Sequence, residues 1–202
     1  MSNSLTELAE DIKEAQKTLV GDVSVKHGEL MVEIEGERIL PLLDFLRKDP
    51  KYQFTQLMDI CGVDYPNRAK RFDVVYNLLS VKLNQRIRIK VATDEATPVP
   101  SVVSIFATAG WFEREVWDMY GVYFTGNADL RRILTDYGFD GHPQRKDFPL
   151  TGYVELRYDP EQKRVAYSPV KLPQAYRTFD FMSPWEGADY ILPGDEKAAK
   201  NG

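Results

Sequence analysis

Two stretches of strict alternation constrain the centre of this chain more than any other feature. Phe72, Val74, Tyr76 and Leu78 recur at every second position, and Ile87, Ile89 and Val91 do the same between Arg86, Arg88 and Lys90. A period of two sends successive side chains to opposite faces of a strand. Both segments therefore read as strands with one apolar face, the second with a basic outer face. The loop near Leu83 to Gln85 is short enough to join them directly as an antiparallel pair. Such a pair must cover its apolar face with a second layer, and the flanking sequence offers helices for it.

Leu5, Leu8, Ile12, Ala15 and Leu19 are spaced by three and four, which predicts an amphipathic N-terminal helix opened by Ser4 or Thr6. Leu30, Val32 and Ile34 alternate and pair with Val23 and Val25 across a turn at His27 and Gly28. A helix is predicted over Ile39 to Arg47, ending before Asp49 and Pro50, and a short helical stretch over Phe54 to Ile60. Ser101, after Pro98 and Pro100, is placed to cap a helix carrying Val102, Ile105 and Phe106. Trp111 to Tyr120 reads as a further helix stopped by Gly121 as a left-handed cap. There is no regular βαβ repeat, so the expected class is α+β. The expectation is one compact domain over 1–125 with a mixed or antiparallel sheet and packed helices. A signature loop region and an extended Pro- and aromatic-rich tail follow over 126–202.

The tail is set apart by composition: 7 of the 12 prolines and nine aromatics, from Phe148 to Tyr190, fall beyond position 140. Regular elements are not expected to run through it. It is too poor in aliphatics for a core of its own and too rich in aromatics for a solvated linker. An extended path over another protein's surface is the expectation.

Composition also excludes several classes of function. The net charge of −5 argues against nucleic acid, which is bound by neutralising phosphates with Lys and Arg. No apolar run approaches the roughly 18–20 residues of a spanning helix, and the best, from Val74 to Val81, is broken by Asn77 and Ser80. The start, MSNSLTELAEDIKEA, has neither a signal peptide's apolar core nor a transit peptide's Arg-rich character. A cytoplasm-like compartment is expected, with any membrane association indirect. Iron–sulfur clusters and structural zinc usually take four Cys or His ligands, against one Cys (Cys61) and two His (His27, His142) in 202 residues. Cys61 reads as a small packed apolar residue. Neither G-x-G-x-x-G nor G-x-x-x-x-G-K-[ST] is present, so dinucleotides and nucleotide phosphates lack their usual glycine cradle.

The densest polar cluster is WFEREVWDMYG at 111–121, where Glu113, Arg114, Glu115 and Asp118 lie among Trp111, Trp117 and Tyr120. Arg114 and Asp118 are four apart, so a plain ion pair on a helix face accounts for much of it, beside an equally open reading as an interface. Arg131, Arg132, Arg145 and Lys146 continue the positive charge. His27 reads as a turn residue. His142, before Pro143, reads as a structural hydrogen-bonding group or as one aimed at a partner.

EREVWDMYGV at 113–122, DLRRILTDYGF at 129–139 and GHPQRKDFPLTGYVE at 141–155 together resemble the signature of one family, the 30-kDa subunit of proton-pumping NADH:quinone oxidoreductase, respiratory complex I. The likeness extends through DICGVDYP, RFDVVYNLLS, KRVAYSPV and FDFMSPWEG, and so covers roughly positions 50 to 190. The resemblance implies an enzyme that carries electrons from NADH through FMN and Fe–S clusters to quinone and pumps protons. This chain would hold none of those cofactors and no catalytic residue. Its implied partners are the 49-kDa-type subunit and the Fe–S-bearing subunit of the quinone module. Its implied place is the cytoplasmic face of a bacterial inner membrane, with the mitochondrial matrix face as the alternative. The candidate interface or signature residues are Glu113, Arg114, Glu115, Asp118, Gly121, Asp129, Arg131, Arg132, His142, Arg145, Lys146, Asp147 and Trp185. One departure stands out, since Asn127 and Ala128 occupy positions where the family usually carries His and Pro. Two alternatives stay open: the homologous subunit of a membrane-bound hydrogenase or formate hydrogenlyase, and a stand-alone hydrolase using Glu113, Glu115 or His142.

Overall fold

The two alternating segments form the central strands of a five-stranded sheet in the computed structural model, which describes residues 2–172. β1 (Val20–Lys26) and β2 (Glu29–Ile34) form a hairpin whose turn residues, His27 and Gly28, both have positive φ, at 54° and 78°. A two-residue turn of that hand matches the right-handed twist of its strands. β3 (Gln56–Asp64), β4 (Phe72–Ser80) and β5 (Gln85–Thr93) form an antiparallel meander, and β5 returns to lie parallel to β2. The order is therefore β1-β2-β5-β4-β3, a mixed sheet.

Three helices cover one face. α1 (Ser2–Ala15) presents Leu8 and Ile12, α2 (Ile39–Lys48) presents Ile39, Leu42, Leu43 and Leu46, and α3 (Ala109–Tyr120) presents Val116. They join Val32, Phe72, Tyr76 and Ile89 from the strands in one continuous core. A short parallel pair, β6 (Val99–Pro100) with β7 (Phe124–Thr125), brackets α3 and brings its two flanking segments together.

The structure corrects four expectations. The stretch 54–60 is not helical, because β3 begins at Gln56. Leu57 pairs with Leu78 and Asp59 with Asn77, which leaves Met58 as an extra residue in a bulge. The bulge shifts the alternation by one, so Leu57 and Ile60 both point into the core at a spacing of three that imitates a helix. α1 ends at Ala15 rather than reaching Leu19, because the chain turns there and β1 starts at Val20. Residues 101–108 make turns rather than a capped helix, since the Ser101 hydroxyl donates to Glu113 Oε2 at 2.7 Å. Finally, the Pro-rich segment does hold regular structure, for β8 (Val154–Asp159) and β9 (Arg164–Pro169) form an antiparallel hairpin. Pro160 sits in its turn and Pro169 at its end, where a missing N–H does no harm.

The first compact unit is Met1–Gly152 and the second begins at Tyr153. The loops over 126–152, placed with the tail on sequence grounds, thus pack with the core, and the hydrogen bonds described below are the reason. The hairpin of the second unit is mostly exposed on both faces, with Val154, Leu156, Tyr158 and Val165 each more than half exposed. The rest of the expected tail, including Trp185, lies outside the described residues. Among the described residues, no helix is long and apolar enough to cross a membrane.

Candidate functional site

The signature residues converge on α3 and on the loop that follows it. A helix leaves its last four carbonyls without intrahelical donors, and in α3 each of the four has a donor from outside the helix. Gly121 N–H donates to the Trp117 carbonyl at 2.8 Å, and Gln144 N–H to that of Met119 at 3.1 Å. His142 Nδ1 donates to the Asp118 carbonyl at 3.0 Å and Arg145 Nε to that of Tyr120 at 2.7 Å. Gly121 has φ 80°, and a Cβ there would stand 2.6 Å from both Arg145 Nη2 and His142 Nε2. Glycine at 121 is thus required twice, for its backbone angle and for the approach of the 142–145 loop.

Asp118 is the centre of the arrangement. It is fully buried, and its Oδ2 accepts the backbone N–H groups of Ile133, Leu134 and Thr135 at 3.0, 2.8 and 2.9 Å. Its Oδ1 accepts from the Thr135 hydroxyl at 2.6 Å and from Arg132 Nη1 at 2.8 Å. Burial is the largest single influence on this carboxyl and acts to raise its pKa. The donors, led by the Thr135 hydroxyl and backbone, together outweigh it and hold the group well below the usual carboxylate range. Arg132 then reaches on to the Gly141 carbonyl at 3.0 Å, so one guanidinium links the 131–135 loop to the start of the 141–147 loop.

Arg114 does not pair with Asp118, contrary to the expectation of a plain ion pair four residues apart. Its Nε and Nη2 donate to the carbonyls of Arg131 and Arg132, both at 3.0 Å. Both side chains are buried, and a buried charge is satisfied best by fixed donors or acceptors; the folded loop supplies both kinds. Glu113, also fully buried, accepts from Ser101 Oγ at 2.7 Å, from Val102 N–H at 2.7 Å and from Asn127 Nδ2 at 2.8 Å. Loss of water pushes its carboxyl up despite these three donors, none of which is charged.

The loop is also tied to the sheet. Asp64, at the end of β3, takes Arg71 in a bidentate pair at 2.7 and 2.8 Å and accepts the Lys146 N–H at 2.7 Å. The Arg71 hydrogen bonds hold the Asp64 carboxyl low. Arg71 continues to Asp147 at 2.8 Å, and Glu95 meets both Arg71 and Arg145 at 3.3 Å. The guanidiniums of Arg71 and Arg145 lie over the Phe72 ring, at 5.2 and 5.1 Å from its centroid. Tyr120 packs on Gly62, where a Cβ would come within 2.4 Å of its ring.

Of the sequence candidates, Glu113, Arg114, Asp118, Gly121, Arg132, His142 and Arg145 are brought together here. Lys146 contributes its backbone and Asp147 an exposed carboxylate, while Asp129 and Arg131 pair on the surface at 2.7 Å. Glu115 faces solvent. Asp64, Arg71 and Thr135 were not singled out in advance, and Ser101 and Asn127 were named only as a helix cap and as a departure from the family pattern. Asp64 and Arg71 stand in DICGVDYP and RFDVVYNLLS, so the signal was present but carried no role. His142 makes a structural hydrogen bond, and burial lowers its pKa, which keeps the imidazole neutral near pH 7. Cys61 on β3 is partly buried, and burial raises its thiol pKa. Among the described residues, no three His, Cys, Asp or Glu side chains converge as metal ligands.

These charged groups bond to loop backbone and to one another, and so fix the loops around α3. The family model described as respiratory-chain NADH dehydrogenase, 30 Kd subunit, matches residues 32–154, and the chain belongs to that family. It is 64% identical over 198 residues to the first C-type subunit of the NADH-quinone oxidoreductase of Rhizobium etli, covering 98% of this chain and 99% of that one. To the C-type subunit of the NADH-quinone oxidoreductase of Xanthobacter autotrophicus it is 60% identical over 199 residues, covering 98% and 95%. Among solved structures it is similar to a chain of the membrane-bound sulfane sulfur reductase, an archaeal respiratory membrane complex. That likeness has a TM-score of 0.61 and 27% identity over 72% of this chain and 85% of the other.

Proposed function

We propose that this chain is the 30-kDa, C-type subunit of a proton-pumping NADH:quinone oxidoreductase and works there as a scaffold without a redox centre of its own. In this reading FMN and the Fe–S clusters sit on other subunits, and this chain joins the 49-kDa-type subunit and the Fe–S-bearing subunit of the quinone module. It reaches the membrane only through the complex, on the cytoplasmic face of a bacterial inner membrane. The observation that carries the reading is Asp118: a carboxylate closed off by five donors is fixed as an anion and positions the 131–135 loop, and no donor or lone pair is left for a substrate. Glu113 is enclosed in the same way by Ser101, Val102 and Asn127. The hydrolase alternative would use Glu113, Glu115 or His142, of which Glu113 is enclosed, His142 is bonded to the Asp118 carbonyl and Glu115 faces solvent.

Asn127 bears on the family's usual His at that position. Here an amide donates to the buried Glu113, so the position serves as a hydrogen-bond donor to α3, a task that needs no titrating group. The test is purification of the native assembly through a tag on this chain. The expected outcome is NADH oxidation coupled to quinone reduction, with FMN and iron in the assembly and neither in stoichiometric amount on the isolated chain. Hydrogen evolution in place of NADH oxidation would assign the chain to a hydrogenase-type complex.

A further inference from the structure

Beside the loops held by Asp118, the first turns of α3 open on a cleft of about 260 Å³ whose lining includes Ala107, Gly110, Trp111, Arg114, Asp129 and Arg131. That volume is below the range of small-molecule cofactor pockets and ample for a single side chain. Arg114 forms the floor. Its side chain is 9% exposed, and two of its nitrogens are taken by the Arg131 and Arg132 carbonyls. The third, Nη1, makes no hydrogen bond among the described residues; the Asp129 carboxylate stands 3.9 Å away and is engaged by Arg131 Nε at 2.7 Å. The outer nitrogen thus has only a long ion pair, to an exposed carboxylate that Arg131 already engages, and can take a closer acceptor.

The charge around the cleft agrees with that weak pairing. Two guanidiniums, Arg114 and Arg131, face one carboxylate, Asp129, and the first turn of α3 carries no acidic side chain. The positive end of the helix dipole adds to the surplus. Trp111, 65% exposed with Arg114 5.3 Å from its ring centroid, walls one side. Tryptophan and arginine set in a pocket are the residue types that dominate binding energy at protein interfaces.

We infer that this cleft receives an acidic side chain, Asp or Glu, from a neighbouring subunit. Its carboxylate accepts from Arg114 Nη1 and its stem lies on the Trp111 indole. The inference rests on the subunit reading above and adds to it the location and chemistry of one contact. Arg114 then has two tasks: its inner nitrogens hold the 131–132 backbone, and its outer nitrogen completes the interface.

Replacing Arg114 would disturb both tasks, so the test uses Ala107, an exposed rim residue with no side-chain hydrogen bond to lose. Ala107→Glu and Ala107→Lys add side chains of similar length and opposite charge. Each replaces the wild-type copy in cells, and the fraction of the chain migrating with the complex on native gels is measured. Ala107→Glu is expected to lower the assembled fraction by about tenfold, while Ala107→Lys assembles as wild type. Carbodiimide treatment of the purified complex carrying Ala107→Lys should then join the new amine to an Asp or Glu of a neighbouring subunit, identified by mass spectrometry. Equal assembly of the two variants, an equal loss in both, or a cross-link confined to Asp129 of the same chain would each overturn the inference. A wild-type chain that does not migrate with an NADH-oxidising complex overturns the subunit reading itself, and that result is distinct from the other three.

Discussion

The two ends of α3 each bury a carboxylate, and their titration is driven in opposite directions. At the C-terminal end Asp118 meets three backbone N–H groups, a hydroxyl and the Arg132 guanidinium, and is held low. Glu113, one turn in from the N-terminal end, meets a hydroxyl, one backbone N–H and the Asn127 amide, and is pushed up by burial. Both are fully buried, so burial alone does not decide the sign. The number of donors does, since those on Asp118 outweigh the loss of hydration and the three on Glu113 do not.

The largest expected effect follows from the better-satisfied site. Asp118→Ala removes the carboxylate partner of Arg132 and leaves three N–H groups of the 133–135 loop without an acceptor, at a cost of about 3–5 kcal/mol. Urea unfolding of the purified chain should show it as a large drop in midpoint. Asp118→Asn should recover only part, since an amide offers one acceptor oxygen where the carboxylate offers two.

Next comes the opposite behaviour with pH. A carboxyl whose folded pKa is depressed stabilises the fold above its unfolded value of about 3.9, and that contribution is lost as pH falls through the folded pKa. Asp118 and Asp64 act in this sense, so wild type should lose stability below about pH 4 and Asp118→Asn should lose less. Glu113 acts in the reverse sense. Its raised pKa gives a contribution present below the unfolded value of about 4.3 and lost as pH rises through the folded pKa. Glu113→Gln should therefore improve relative to wild type as pH rises from about 4 toward 8, read from unfolding midpoints across that range. An identical pH response in the two variants would break the comparison.

The smallest effect is expected for Arg131→Ala. Its pair with Asp129 is exposed on both sides, and such pairs are screened by solvent. The unfolding midpoint of the isolated chain should not move measurably.

How much of this could be read in the residues depends on whether the cause is local. The β4–β5 pair, the β1–β2 turn, α2 and the Gly121 cap are set by alternation, positive φ and helix periodicity within a few residues, and all were legible. β3 was not, because the Met58 bulge replaces a period of two with an apparent step of three. Ser101 has a helix-capping side chain, but Glu113, twelve residues on, takes its hydroxyl. The same holds for the site. The cluster at 111–121 was visible as a concentration of charge, yet Arg114 and Asp118 are met chiefly by loop backbone groups at 131–135 and Glu113 by Ser101, Val102 and Asn127. Long-range backbone acceptors and donors leave no mark in residue type, so a short-range ion pair was the natural and mistaken reading. Family resemblance located the loop residues without giving their roles.

The scaffold reading is tested most directly by NADH:quinone turnover per assembled complex, with assembly quantified by native gel and flavin content, in Asp118→Asn, Arg132→Ala and Arg145→Ala. The expected result is a lower amount of complex with near-normal turnover in each complex that forms, because these groups hold loops in this chain and, on the scaffold reading, serve assembly alone. A variant that assembles fully while its turnover falls by about a hundredfold, a barrier increase of about 2.7 kcal/mol, would contradict it and place that residue in the chemistry of the complex.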